Sequence, residues 1–80
     1  MSEMSDKIDW SVALFHTNSA VLRAEKILLR EGFKIKLIPI PRHLSSDCGI
    51  ALRFDAGAET RVREILETAG VSIASIHQLG

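Results

Sequence analysis

Ile27-Leu28-Leu29-Arg30-Glu31-Gly32-Phe33-Lys34-Ile35 recurs 38 positions on as Ile65-Leu66-Glu67-Thr68-Ala69-Gly70-Val71-Ser72-Ile73. In both stretches a pair of apolar residues is followed by a glycine, and then apolar residues alternate with a polar one. Glycine takes the left-handed backbone that ends a helix at little steric cost. Alternation with a period of two marks a strand with one wet face. Each stretch therefore reads as helix, stop, strand. Working outward, the same offset aligns Val12 with Ile50, Ala13 with Ala51, Leu14 with Leu52 and Ile38 with Ile76. The chain reads as two copies of one strand–helix–strand unit.

In the first unit, residues 11–17 are rich in strand formers. Asn18 or Ser19 is expected to cap a helix, whose inner face carries Val21, Ala24, Ile27 and Leu28. Phe33, Ile35 and Leu37 then alternate with Lys34 and Lys36. In the second unit, which begins at Gly49, Ile50, Leu52 and Phe54 alternate with Ala51, Arg53 and Asp55. A helix with Val62, Ile65, Leu66 and Ala69 inward follows, and Val71, Ile73 and Ser75 begin the last strand. The order βαββαβ predicts an α+β domain of ferredoxin-like topology, a four-stranded, mostly antiparallel sheet with two helices on one face. Strands one and three are expected at the centre, parallel to each other. That arrangement gathers Trp10, residues 39–48 and His77 at one sheet edge, where both helices would end. It sends His16, Asn18 and Asp55 to the other. Residues 1–10 read as a flexible N-terminal segment and residues 11–80 as one domain.

Ten basic and ten acidic side chains give a formal net charge of zero. Nothing in that balance draws a polyanion, so nucleic-acid binding is not expected. No apolar run approaches the ~20 residues that span a bilayer, and the N-terminus lacks the apolar core of a signal peptide. One cysteine cannot form an internal disulfide, which suits the reducing cytoplasm. It also excludes an iron–sulfur cluster, which needs about four.

The connection Pro39-Ile-Pro-Arg-His-Leu-Ser-Ser-Asp47 is the least regular part of the chain. A two-residue turn would have joined its strands, so its length points to a function. It leads into Cys48, the lone cysteine. Such a residue is commonly a small buried apolar group, but Asp47 and Gly49 beside it do not belong in a core. Gly49 would let a ligand or backbone approach closely. Arg42 and His43 would favour a thiolate, while Asp47 and helix C-termini at that edge would oppose one. Arg42 with Ser45 and Ser46 suits an anion, or is a surface arginine beside a turn. His16, His43 and His77 lack zinc-site spacing, so no metal is expected. Trp10 either stacks on a ligand or packs at the mouth of the core. No carboxylate pair, nucleophile–base pair or phosphate loop marks a stand-alone enzyme.

The stretch Pro41-Arg42-His43-Leu44-Ser45-Ser46-Asp47-Cys48-Gly49-Ile50, with Ala24-Glu25-Lys26-Ile27-Leu28-Leu29 and Gly32, resembles a family of small bacterial selenium/sulfur carrier-like proteins. The similarity runs from Val12 to Leu79, and the matching loop positions are Pro41, Arg42, Ser45, Ser46, Cys48 and Gly49. The resemblance implies a non-enzymatic carrier with no cofactor. Cys48 would hold the atom as a persulfide or selenium adduct, steadied by Arg42, Ser45, Ser46 and Gly49. Donor and acceptor proteins would be its partners. The alternative is an anion-binding, regulatory or adaptor module in which Cys48 is structural. A homodimer through the sheet face free of helices is a further expectation, with Ala13 and Phe15, or Ala51 and Arg53, lining it.

Overall fold

The computed structural model describes residues 9–40, 44 and 49–79. Among them run β1 (Trp10–Leu14), α1 (Asn18–Arg30), β2 (Ile35–Pro39), β3 (Ile50–Asp55), a 3-10 turn (Ala56–Ala58), α2 (Glu59–Thr68) and β4 (Ser75–Gln78). This is the expected βαββαβ order. Of the segment 1–10 expected to be flexible, residues 1–8 lie outside the described residues, whereas Trp10 begins β1 and Asp9 O accepts from the Ala56 N–H at 2.9 Å.

Thr17 opens α1. Its backbone is extended and its Oγ1 accepts from the Ala20 N–H at 3.1 Å, which satisfies one of the free donors of the first turn. Asn18 and Ser19, the caps offered by the sequence, instead fall inside the helix. Asp55 plays a related part before α2, its Oδ1 accepting from the Gly57 N–H at 2.9 Å. Both helices end on glycines with positive φ, Gly32 at 90° and Gly70 at 81°.

The sheet order is β2-β3-β1-β4, and every neighbouring pair is antiparallel. The central strands β1 and β3 are therefore antiparallel, not parallel as expected. The crossover through α1 brings β2 back alongside the direction of β1. The β2–β3 connection reverses the chain, and β3 enters between them. One sheet edge thus holds the ends of β1 and β2 and the starts of β3 and β4. Here α1 begins and α2 ends. The other edge holds Trp10 and Asp55, which pair with each other.

Helices α1 and α2 cover one face. Ala13, Phe15, Leu52 and Phe54 of the sheet bury against Val21, Ala24, Leu28, Val62 and Leu66. Each large side chain taken from water here contributes about 1.5–3 kcal/mol. The opposite face has its own small core, in which Val12, Leu14 and Ala51 are buried beneath Ile38, Ile40, Leu44 and Leu79. Ala51 thus lies on the face away from the helices and Ala13 on the helix face, which settles the assignment left open by the sequence.

The repeat is real but changes step. Leu28 and Leu66, Ile27 and Ile65 hold equivalent helical positions 38 residues apart. In the strands, residues at that offset point to opposite faces. Ala13 packs under the helices while Ala51 does not, and Leu14 faces away while Leu52 faces in. Equivalent strand residues are 39 apart, as Phe15 is to Phe54. A one-residue slip moves a strand's whole apolar set to the other face. Strand β4 also starts later than expected, at Ser75. Val71 and Ile73 precede it, still packed on the core, and the Ala74 N–H donates to Leu14 O at 2.8 Å.

Candidate functional site: the cysteine loop and its sheet edge

Pro39 and Ile50 are register partners at the end of the β2–β3 ladder. They close the loop of residues 40–49 at its base. Of the residues assigned to the site by sequence, Gly49 is described. Arg42, Ser45, Ser46 and Cys48 lie outside the described residues, as do Pro41, His43 and Asp47. The described part shows how the loop is held. Leu44, half-buried, packs against the small core of Val12, Leu14 and Ala51, and Ile40 joins it. Leu44 is therefore pinned to the sheet face away from the helices. The sequence carried one signal of this, a lone leucine in a polar loop.

Gly49 is exposed, and a side chain built on it would meet nothing within 4 Å. Neither crowding nor a left-handed backbone demands glycine here. Its effect is clearance next to Cys48 in the chain.

The antiparallel centre rearranges the expected neighbours of this edge. His16 follows the end of β1 and, with Asn18, belongs to the edge where Gly49 enters β3, not to the opposite one. Trp10 lies at the far edge. His77 lies inside β4, level with Val12, and its Nε2 is 2.9 Å from Ser75 Oγ. As expected, β1 stands between β4 and β3. The helix dipoles also change sense. One helix begins at this edge and the other ends there, so their fields oppose rather than add. Arg23 Nη2 donates to Ala69 O at 3.2 Å, placing a cation on the C-terminus of α2.

The face to which Leu44 is pinned bears charge as well. Arg53 lies over Trp10, its guanidinium carbon 4.2 Å from the ring centroid. Lys36 is its partner on β2. On the helix side, Ile27, Ile65 and Ala69 line an open groove rimmed by Glu31, Arg61, Glu64 and Thr68. Among the described residues no three His, Cys, Asp or Glu side chains gather as metal ligands. No described helix is long and apolar enough to cross a membrane.

No curated protein and no solved structure matches the chain. The family described as "Putative Se/S carrier protein-like" matches residues 11–78, from the second residue of β1 to the last of β4. The match takes in both helices, all four strands and the loop that ends at Cys48, so the chain belongs to this selenium/sulfur carrier-like family.

Proposed function

We propose that the protein carries sulfur or selenium on the thiol of Cys48. Membership of the carrier-like family is the observation that carries this reading, and a single cysteine in the whole chain supports it. In loading, the Cys48 thiolate attacks the terminal sulfur of a donor persulfide. The donor's S–S bond breaks, a new S–S bond forms on Cys48, and the donor leaves as its thiolate. The exchange involves no net oxidation. A perselenide donor delivers selenium by the same displacement. Unloading passes the atom to an acceptor nucleophile, and Cys48 leaves as thiolate. With no second cysteine, the loaded form cannot collapse to an internal disulfide.

Arg42, the hydroxyls of Ser45 and Ser46, and the Gly49 N–H steady the anionic terminal atom. The N-terminus of α1 at the same edge favours negative charge, while Arg23 offsets the opposing terminus of α2. The clearance at Gly49 gives donor and acceptor proteins access. The reducing cytoplasm is the compartment this thiol chemistry suits.

The test is the rate of Cys48 alkylation against pH, followed by intact mass, before and after exposure to a persulfide or perselenide donor. The expected result is a titration midpoint below the ~8.5 of free cysteine, with one added sulfur or selenium that Cys48→Ser abolishes. Slow alkylation of the native protein, or an ordinary midpoint with no adduct, would return Cys48 to a structural role.

A further inference from the structure

The sheet face away from the helices carries a basic strip that the carrier reading leaves without a role. Lys36 pairs with Arg53, and Val12 pairs with both Arg53 and His77, so the four stand in one row across all four strands. Paired residues of antiparallel strands share a face. At ~4.8 Å between strands the row is about 14 Å long. It contains no carboxylate. Asp55, on the next rung beside Trp10, is turned to the Gly57 N–H. Among the described residues the ion pair formed is Arg63–Glu59 on α2, so Lys36 and Arg53 have no carboxylate partner there.

Arg53 is the centre of the strip. Trp10 fixes the plane of its guanidinium. Among the described residues its Nε is shut off from water and meets no hydrogen-bond acceptor. An arriving carboxylate would pair with the rest of the guanidinium, in a charge-assisted bond stronger than a neutral one. Next to the strip the face turns apolar at Ile38 and Leu44.

We propose that this face docks an acidic, partly apolar segment of a partner protein. Its carboxylates are taken by Arg53 and Lys36, and its apolar side chains lie against Ile38 and Leu44. Charge complementarity selects this occupant. A second copy of the chain, face to face, would set these cations against their own kind. A nucleic acid needs more phosphate contacts than two fixed cations supply, and an open aromatic on which to stack a base. The ring of Trp10 already lies beneath Arg53. The surface adjoins the Cys48 loop through Leu44, yet it stands on these contacts whether or not Cys48 carries anything.

The chain has one tryptophan and no tyrosine, so its intrinsic emission reports from Trp10, stacked beneath Arg53 of the strip. The probe is a capped, dye-labelled octapeptide of alternating Glu and Val, followed by anisotropy and by Trp10 emission. Saturable binding is expected, weakening with added salt. It falls about tenfold in Arg53→Gln and about threefold in Lys36→Gln, and is unchanged in Cys48→Ser. Lys36 is exposed, so its variant keeps the test open if Arg53→Gln fails to fold. Absence of binding overturns the proposal, as does equal affinity in both glutamine variants, or equal binding of a Lys–Val peptide. Tighter binding of a ten-base oligothymidylate reassigns the face to nucleic acid. A matching emission change with inorganic phosphate alone reduces it to an isolated anion site. Cys48→Ser keeps the surface and removes the thiol, so failure of the carrier reading is seen separately.

Discussion

Gly32 and Gly70 end their helices in the same left-handed conformation, with the same set of backbone hydrogen bonds 38 residues apart. Phe33 N–H donates to Leu28 O at 3.0 Å, and Val71 N–H to Leu66 O at 2.8 Å. The N–H of each glycine reaches the residue three before it, Leu29 and Glu67, at 3.0 Å. A side chain at either glycine would meet no neighbour within 4 Å, so the strain of replacing it is conformational alone. Gly32→Ala and Gly70→Ala should each cost about 1 kcal/mol, and asparagine less. Urea denaturation of the variants measures this. An unchanged midpoint would mean that the glycines are incidental.

Leu28 and Leu29 are chain neighbours about 100° apart around α1, 0% and 53% exposed. Leu28→Ala should cost about 2–5 kcal/mol, a large share of the ~4–12 kcal/mol expected of a domain this size. Leu29→Ala should change stability by less than about 0.5 kcal/mol. Thermal melts of the pair test the placement of the core.

At the start of α1, Thr17→Ala removes the oxygen that receives the Ala20 N–H and should cost about 1 kcal/mol. Ser19→Ala, an exposed change inside the helix, should cost less than about 0.5 kcal/mol. If Ser19 proved the costlier of the two, the cap would be misassigned.

Leu44→Ala releases the apolar tether of the cysteine loop from Val12, Leu14 and Ala51. It should cost about 1 kcal/mol of stability and alter the alkylation rate of Cys48. Leu22→Ala, exposed on α1, serves as the control. Equal Cys48 reactivity in both variants would show that the tether does not govern the thiol.

Gly49→Ala should leave stability within about 0.5 kcal/mol, because nothing crowds the position. Under the carrier reading it slows loading from a bulky protein persulfide and leaves alkylation by a small reagent unchanged. Loading at the original rate would remove the role assigned to its clearance.

The helices and the element order were legible because each rests on local chemistry: a 3.6-residue stripe, a glycine stop, a two-residue alternation. The direction of β3 was legible in principle too. A helical crossover followed by one chain reversal sets β3 against β1, and the expectation of parallel central strands overlooked that count. From this slip came the misplacement of His16, Asn18, Trp10 and His77. The strand half of the repeat misled for another reason. Ala13 and Ala51 match as letters, but a helix tolerates a one-residue change of phase at its ends, whereas a strand turns over. The site was legible only as a motif. Its described frame, the Leu44 tether and the row Lys36–Arg53–His77, depends on which strands become neighbours, and no local pattern reveals that.

The Pro39–Ile50 rung has one more consequence. Because the ladder already holds the two ends of the loop together, chain added between them meets only the slow logarithmic growth of closure entropy, about 0.6 kcal/mol for each doubling in length. So long as Leu44 keeps its seat, the segment that bears the thiol can therefore be lengthened or trimmed with little effect on folding. The domain is built as a fixed handle with an adjustable tip.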